Sequence, residues 1–112
     1  MKYDFDLICI GLGPAGMAVS VMAAEMGLKV CGIEKNKIGG ECMNVGCIPS
    51  KSLLRIAKYR HAFLKLSEMG LSKGLMPNIN SPFSKINNYL DYISEKKTLK
   101  MFDKVELFLG KG

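Results

Sequence analysis

Phe5-Asp6-Leu7-Ile8-Cys9-Ile10-Gly11-Leu12-Gly13-Pro14-Ala15-Gly16 is the stretch that decides the fold. Its first six residues are mostly apolar and branched, the pattern of a strand buried on both faces of a parallel sheet. The strand runs straight into a Gly-x-Gly-x-x-Gly turn. Met17 to Met26, rich in Ala, Met and Val, then reads as a helix, and Gly27 stands where a C-terminal cap belongs. Leu28 to Ile33 gives a second strand with Glu34 at its end, completing a βαβ unit.

A glycine turn alone is weak evidence, because such turns have many uses. Here a strand precedes it, a helix follows, and an acid stands 23 positions beyond Gly11. That context is the dinucleotide-binding fingerprint of a Rossmann-type α/β fold. Gly11 allows the tight turn, Gly13 lets backbone N–H groups approach a pyrophosphate, and Gly16 lets the helix pack closely on the strand. Pro14 and Ala15 complete the helix N-terminus, which favours phosphate charge. Glu34, followed by Lys35, is expected to accept hydrogen bonds from ribose hydroxyls.

A second motif follows: Gly39-Gly40-Glu41-Cys42-Met43-Asn44-Val45-Gly46-Cys47-Ile48-Pro49-Ser50-Lys51. A straight helix separates residues i and i+5 by about 7.5 Å of rise, whereas bridged cysteines need Cα atoms within about 7 Å. Cys42 and Cys47 therefore require an irregular turn. Gly46, free to adopt positive φ, and Pro49, suited to the first position of a helix, are expected to build it. A helix N-terminus with Lys51 nearby favours thiolate, so the pair is poised to switch rather than to staple. Zinc would need another ligand pair, but Cys9 and Cys31 sit inside strands and His61 has no nearby partner.

Together, Ile10 to Gly16, Glu34 and Gly39 to Lys51 resemble the pyridine nucleotide-disulfide oxidoreductases. Within that flavoprotein family the similarity is greatest to the dihydrolipoamide dehydrogenase branch, with mercuric reductase-like proteins second. The resemblance runs from about Asp4 onward and weakens between Ser67 and Lys104. It implies an FAD-dependent disulfide oxidoreductase working with NAD(P). Gly11, Gly13, Pro14, Ala15, Gly16, Glu34 and Lys35 would hold the ADP half of FAD, with Gly40 and Glu41 passing beside the flavin end. Cys47 would lie over the flavin, Cys42 would exchange with a disulfide or dithiol substrate of the lipoamide kind, and Lys51 would stand near the ring. Gly110-Lys111-Gly112 matches a glycine turn after a strand, Val105 to Leu109, that touches the adenine side in the family. Glu41 departs from the threonine usual in the dehydrogenases, and its charge is expected to raise the pKa of Cys42.

Family members run to several hundred residues and form homodimers. The 112 residues are therefore expected to be the N-terminal part of the FAD-binding domain, an incomplete domain. The NAD-binding and dimerisation domains, and the His-Glu acid-base pair that the family contributes across its dimer, would lie in a longer chain. An independent flavin-binding or redox module is the competing reading. The unpaired edge of an unfinished parallel sheet argues against it.

The net charge of +6 is unevenly spread, with four Lys/Arg against five Asp/Glu in residues 1 to 50 and twelve against five thereafter. The basic half lacks interleaved aromatics or a nucleic-acid motif, so a solvated helix face is expected and no nucleic-acid partner. No apolar run of about 18 residues occurs, which excludes a membrane-spanning helix. Met1 to Asp4 leads directly into the first strand, leaving no room for a targeting peptide and pointing to the cytoplasm. Ser50 to Met69 reads as a helix ending at Gly70, Leu71 to Asn80 as a loop, and Ser81-Pro82 as the start of a helix with Ile86, Leu90 and Ile93 on one stripe.

Overall fold

The computed structural model describes residues 2–71, 74–75 and 78–110. Strand β1 (Leu7–Ile10) leads through the glycine turn into helix α1 (Pro14–Glu25) and then strand β2 (Val30–Glu34). Short helix α2 (Gly40–Asn44) and long helix α3 (Cys47–Leu64) follow, with a 3₁₀ turn at Leu66–Met69. Helix α4 (Pro82–Tyr92) widens into a π-helical stretch, Ile93–Thr98, and a 3₁₀ turn, Leu99–Phe102, before strand β3 (Val105–Leu109). The loop expected over residues 71 to 80 lies partly outside the described residues.

The three strands are parallel in the order β1-β2-β3, with Val30 opposite both Leu7 and Val105. Parallel pairing follows from the helical crossover after β1 and the longer one after β2. α1 packs on the face that carries Leu7, Cys9, Val30, Val105 and Leu107, and with Leu12, Ala23, Ala24, Ile38 and Phe102 these form the core. Gly32 belongs to this packing by its smallness. A Cβ there would sit 3.2 Å from the Leu12 methyls and 3.3 Å from Leu107. The opposite face is open, with Ile8, Ile10 and Phe108 exposed. Parallel sheets are ordinarily covered on both sides.

α1 ends as its sequence requires. Gly27 takes φ +90°, and the Leu28 N–H bonds the Ala23 carbonyl at 3.1 Å. That cap consumes Leu28, so β2 begins at Val30 rather than Leu28. β1 likewise begins at Leu7 rather than Phe5, because Asp6 turns its carboxylate onto the Lys29 N–H at 2.8 Å.

α3 buries none of its residues fully, since its apolar side chains are scattered around the axis. α4 returns beside it, burying Ile86, while Leu90 and Ile93 are half-buried. This helical pair projects from the sheet. The radius of gyration is 20.2 Å and the extents are 73 × 26 × 19 Å, against about 13 Å for a compact domain of this length. No helix of the described residues is long and apolar enough to cross a membrane.

Candidate functional site

The turn after β1 is held by backbone bonds and by one side chain. Gly11, at φ +90°, donates to the Ile33 carbonyl at 2.7 Å, and Gly39 donates to the Leu12 carbonyl at 2.7 Å. Glu34 is buried, and its two oxygens accept from Leu12 N–H at 2.7 Å and Asn36 N–H at 2.9 Å. The backbone N–H groups of Asn36 and then Leu12 hold its carboxyl below the ordinary range, outweighing burial. Glu34 therefore clamps the turn to the end of β2, a duty the sequence reading did not assign to it. Each oxygen keeps a further lone pair, and Glu34 lines a cleft with Lys35, Asn36, Lys37, Gly40, Glu41, Asn44 and Val45.

The N-terminus of α1 is open. A Cβ on Gly13 would meet nothing within 4 Å, no side chain caps the helix, and its first turn holds no acid. Gly11, Gly13, Pro14, Ala15 and Gly16 share a hollow there of roughly 460 Å³. Free N–H groups and the positive end of the helix suit a phosphate-bearing ligand. Gly16 has a different task. A Cβ on it would lie 2.0 Å from the Gly11 carbonyl oxygen, so α1 approaches β1 only because that atom is missing.

The dithiol segment rests on this turn. Gly39 and Gly40 take φ +96° and +59°, and a Cβ on Gly40 would come within 3.0 Å of the Gly13 Cα. α2 is thereby seated directly on the glycine turn after β1. Met43 points inward, its sulfur 3.8 Å from the buried Thr98 hydroxyl. Asn44 donates its amide to the carbonyls of Ile38 at 3.1 Å and Gly40 at 2.8 Å, closing the loop that carries the glycine pair. Met43 and Asn44 are structural members of the site that the sequence reading passed over. An amide four residues after a glycine pair was the available signal for Asn44.

Gly46 and Pro49 act differently from expectation. Gly46 has φ −113° rather than a positive value. Its missing side chain serves proximity, since a Cβ would lie 2.9 Å from the Glu41 oxygen and 3.2 Å from the Cys42 Cα. That contact folds the chain back so that Cys47, the first residue of α3, meets Cys42. Pro49 is consequently the third helical residue rather than the first. Ser50 secures the new helix, its N–H on Gly46 O at 3.1 Å and its hydroxyl on Cys47 O at 3.2 Å.

Both sulfurs are thiols, Cys42 half-buried and Cys47 exposed. Hydrogen bonding to the Cys47 side chain raises the pKa of Cys42, burial adds to the rise, and Lys51 opposes it. Glu41, which is exposed, has no part in that rise, contrary to expectation. Cys31 is buried and its thiol is pushed up by desolvation, then by Glu106 and Cys9. It is a packing residue. His61 is exposed in the last turn of α3, and no His/Cys/Asp/Glu cluster able to hold a metal occurs among the described residues. Gly112 lies outside the described residues.

The geometry agrees with comparisons to known proteins. Residues 5–111 match the model of the pyridine nucleotide-disulphide oxidoreductase family. The dihydrolipoyl dehydrogenase of Thermus scotoductus is 37% identical over 95% of this chain, and that of Geobacillus stearothermophilus 36% over 97%. The mitochondrial dihydrolipoyl dehydrogenase of Caenorhabditis elegans is 51% identical over 52% of the chain. The chain spans 23% of the Thermus protein, 24% of the Geobacillus protein and 12% of the Caenorhabditis protein. Among solved structures, the HOCl-induced flavoprotein disulfide reductase RclA of Escherichia coli superposes with a TM-score of 0.71 over 96% of this chain and 22% of its own, at 23% identity, a likeness of fold. With the family model matched over nearly its whole length, a parallel βαβ sheet and a dithiol seated on the glycine turn, the chain belongs to the pyridine nucleotide-disulphide oxidoreductase family.

Proposed function

We propose that the chain is the N-terminal part of the FAD-binding domain of a disulfide oxidoreductase of the dihydrolipoyl dehydrogenase kind, acting in a longer chain with NAD(P) and a lipoamide-like disulfide or dithiol, and assembling as a homodimer. The observation that carries this reading is the contact of Gly40 with Gly13, which makes the nucleotide turn and the Cys42–Cys47 segment one continuous wall.

The residues present fit FAD. Gly11, Gly13, Pro14, Ala15 and Gly16 would offer N–H groups and open space to its phosphates, and Glu34 with Lys35 would meet the adenosine ribose from the cleft. Gly40, Glu41 and Lys51 would border the flavin half. When bound, FAD supplies the two-electron chemistry that links the dithiol to NAD(P)H.

The chain's own residues perform the exchange. Cys42 thiolate attacks a substrate disulfide, forming a mixed disulfide and releasing one substrate thiolate. Cys47 thiolate then attacks the Cys42 sulfur, releasing the second substrate thiolate and leaving the Cys42–Cys47 disulfide. The reverse sequence oxidises a dithiol. Before the first step, in the reduced pair, the hydrogen bond to the Cys47 side chain favours the protonated form of Cys42. The half-buried sulfur is thus quiet until its proton is removed.

The test is to equilibrate the chain in glutathione redox buffers, trap free thiols by alkylation and read the products by mass. One two-electron transition to an internal Cys42–Cys47 disulfide is expected. In Cys47→Ala a mixed glutathione disulfide accumulates at Cys42, and the pH midpoint of Cys42 alkylation moves down because the bond that retained its proton is gone. A chain that never forms the internal disulfide refutes the reading.

A further inference from the structure

Met43 and Thr98 take no part in the exchange above, yet they tie the dithiol segment to a residue 55 positions further along the chain. Helix α2 has five residues and no side-chain cap. So short a helix does not hold its own shape in water, and its place depends on what it touches. Its buried residue is Met43, the neighbour of Cys42. Met43 lies against Gly39, where a Cβ would come within 2.8 Å of the sulfur. That sulfur accepts the hydroxyl of Thr98, which is itself buried. Thr98 ends the π-helical stretch Ile93–Thr98, and wide turns of this kind are rare and recur at functional sites. Before it, Leu90, Asp91 and Ser94 stand back from Lys37 and Asn44 across a hollow of roughly 350 Å³. At Thr98 the same helical run meets α2 directly.

We propose that Thr98 is a positioning residue for the dithiol, holding Cys42 opposite Cys47 through the Met43 sulfur. The proposal rests on the redox reading of Cys42 and Cys47. Both partners of the contact are buried within the chain itself, so the device is internal and needs no free surface. In the oxidation, the chain dithiol and glutathione disulfide give the Cys42–Cys47 disulfide and two glutathione thiols. One S–S bond breaks, one forms, and the two thiol protons pass to glutathione. Closing the new bond requires α2 to stay where it brings the sulfurs together. A contact that already holds α2 in the dithiol form lowers the ordering cost of closure, and the internal disulfide is favoured. Without the hydroxyl, Met43 keeps its burial but loses the bond that fixes its sulfur. α2 is then freer to turn about Gly39 and Gly40, and Cys42 turns with it.

The experiment measures the equilibrium constant of the chain with glutathione, and hence the reduction potential of the pair, by alkylation and mass. Thr98→Val keeps the shape of the side chain and removes the hydroxyl. It is expected to lower the constant for internal disulfide formation about threefold, while Thr98→Ser, which keeps the hydroxyl, holds it at the unaltered value. Met43→Leu removes the sulfur and should give the same drop. Thr98→Val/Met43→Leu should drop no further, because one shared contact is lost only once. Val105→Ala, which loosens the sheet core away from α2, should lower the unfolding midpoint and leave the constant unchanged. An unchanged constant in Thr98→Val, additive losses in the double variant, or an equal shift in Val105→Ala overturns the proposal. Should Thr98→Val fail to fold, the constant of Met43→Leu decides in the same way. If the unaltered chain forms no internal disulfide, the redox reading itself fails and the proposal falls with it. An internal disulfide whose constant ignores Thr98 refutes the positioning role alone.

Discussion

Glu34→Gln is the most informative single change, because Glu34 meets the glycine turn with both oxygens. Leu12 N–H at 2.7 Å and Asn36 N–H at 2.9 Å each point at a carboxylate oxygen. Glutamine has the same shape but one acceptor, so its NH₂ must face one of these donors. The lost bond to a charged acceptor and the stranded buried N–H overlap as costs, each worth about 1–3 kcal/mol, and together about 2–3 kcal/mol. For a domain of this size that is roughly 10–20 °C in Tm. The pH dependence has a definite sign. The carboxyl is held below its ordinary value by Asn36 and Leu12, so its contribution is full above the unfolded value of about 4.3 and is lost as pH falls through the folded value. The variant lacks that titration. Urea unfolding followed by circular dichroism should therefore show a large gap at pH 7 that narrows steadily below pH about 4. Equal stability at pH 7, or a gap that widens in acid, would refute the clamp.

Two further changes probe the same framework. In Gly16→Ala the added carbon would lie 2.0 Å from a backbone oxygen that cannot rotate away. α1 must retreat from β1 at about 3 kcal/mol or more, and a thermal melt within about 2 °C of the unaltered chain would contradict the contact. Ser20 is fully buried and its hydroxyl has no hydrogen-bond partner among the described residues. Ser20→Ala should match or exceed the unaltered chain by up to about 1 kcal/mol, and a lower denaturation midpoint would mean that the hydroxyl is bonded.

The βαβ unit was legible because its signals are local. A branched apolar run, a glycine turn, an alanine-rich helix and a capping glycine each specify their own backbone, and the structure has all four in the expected order, with the helix starting at Pro14 rather than Met17. The strand limits moved by two residues because Asp6 was claimed by Lys29, 23 positions away in sequence, and Leu28 by the cap of α1 through Ala23. The π-helical widening at Ile93–Thr98 left no local mark. It buries Thr98 against Met43 and leads Phe102 into the core that α1 covers, a tertiary demand that apolar spacing along α4 cannot express.

In the candidate site, the pairing of the two cysteines was readable and its supports were not. Cys42, Cys47 and Lys51 announce themselves by residue type, since few other side chains perform thiol exchange or carry fixed charge there. The supports act through the backbone, where residue type says little. Gly46 was expected to supply a left-handed turn and instead supplies the absence of a carbon beside Cys42. A sequence shows that a glycine is present, but only coordinates distinguish freedom of φ from closeness of approach. Glu34 shows the same limit from the other side. Its position predicted a ligand for ribose, yet its first partners are two N–H groups of its own chain. Holding the turn and meeting a ribose are compatible, because a carboxylate accepts more than one bond per oxygen. A clamp that also faces the cleft would couple turn rigidity to the proposed ligand contact, and substitution at Glu34 is then expected to weaken both together.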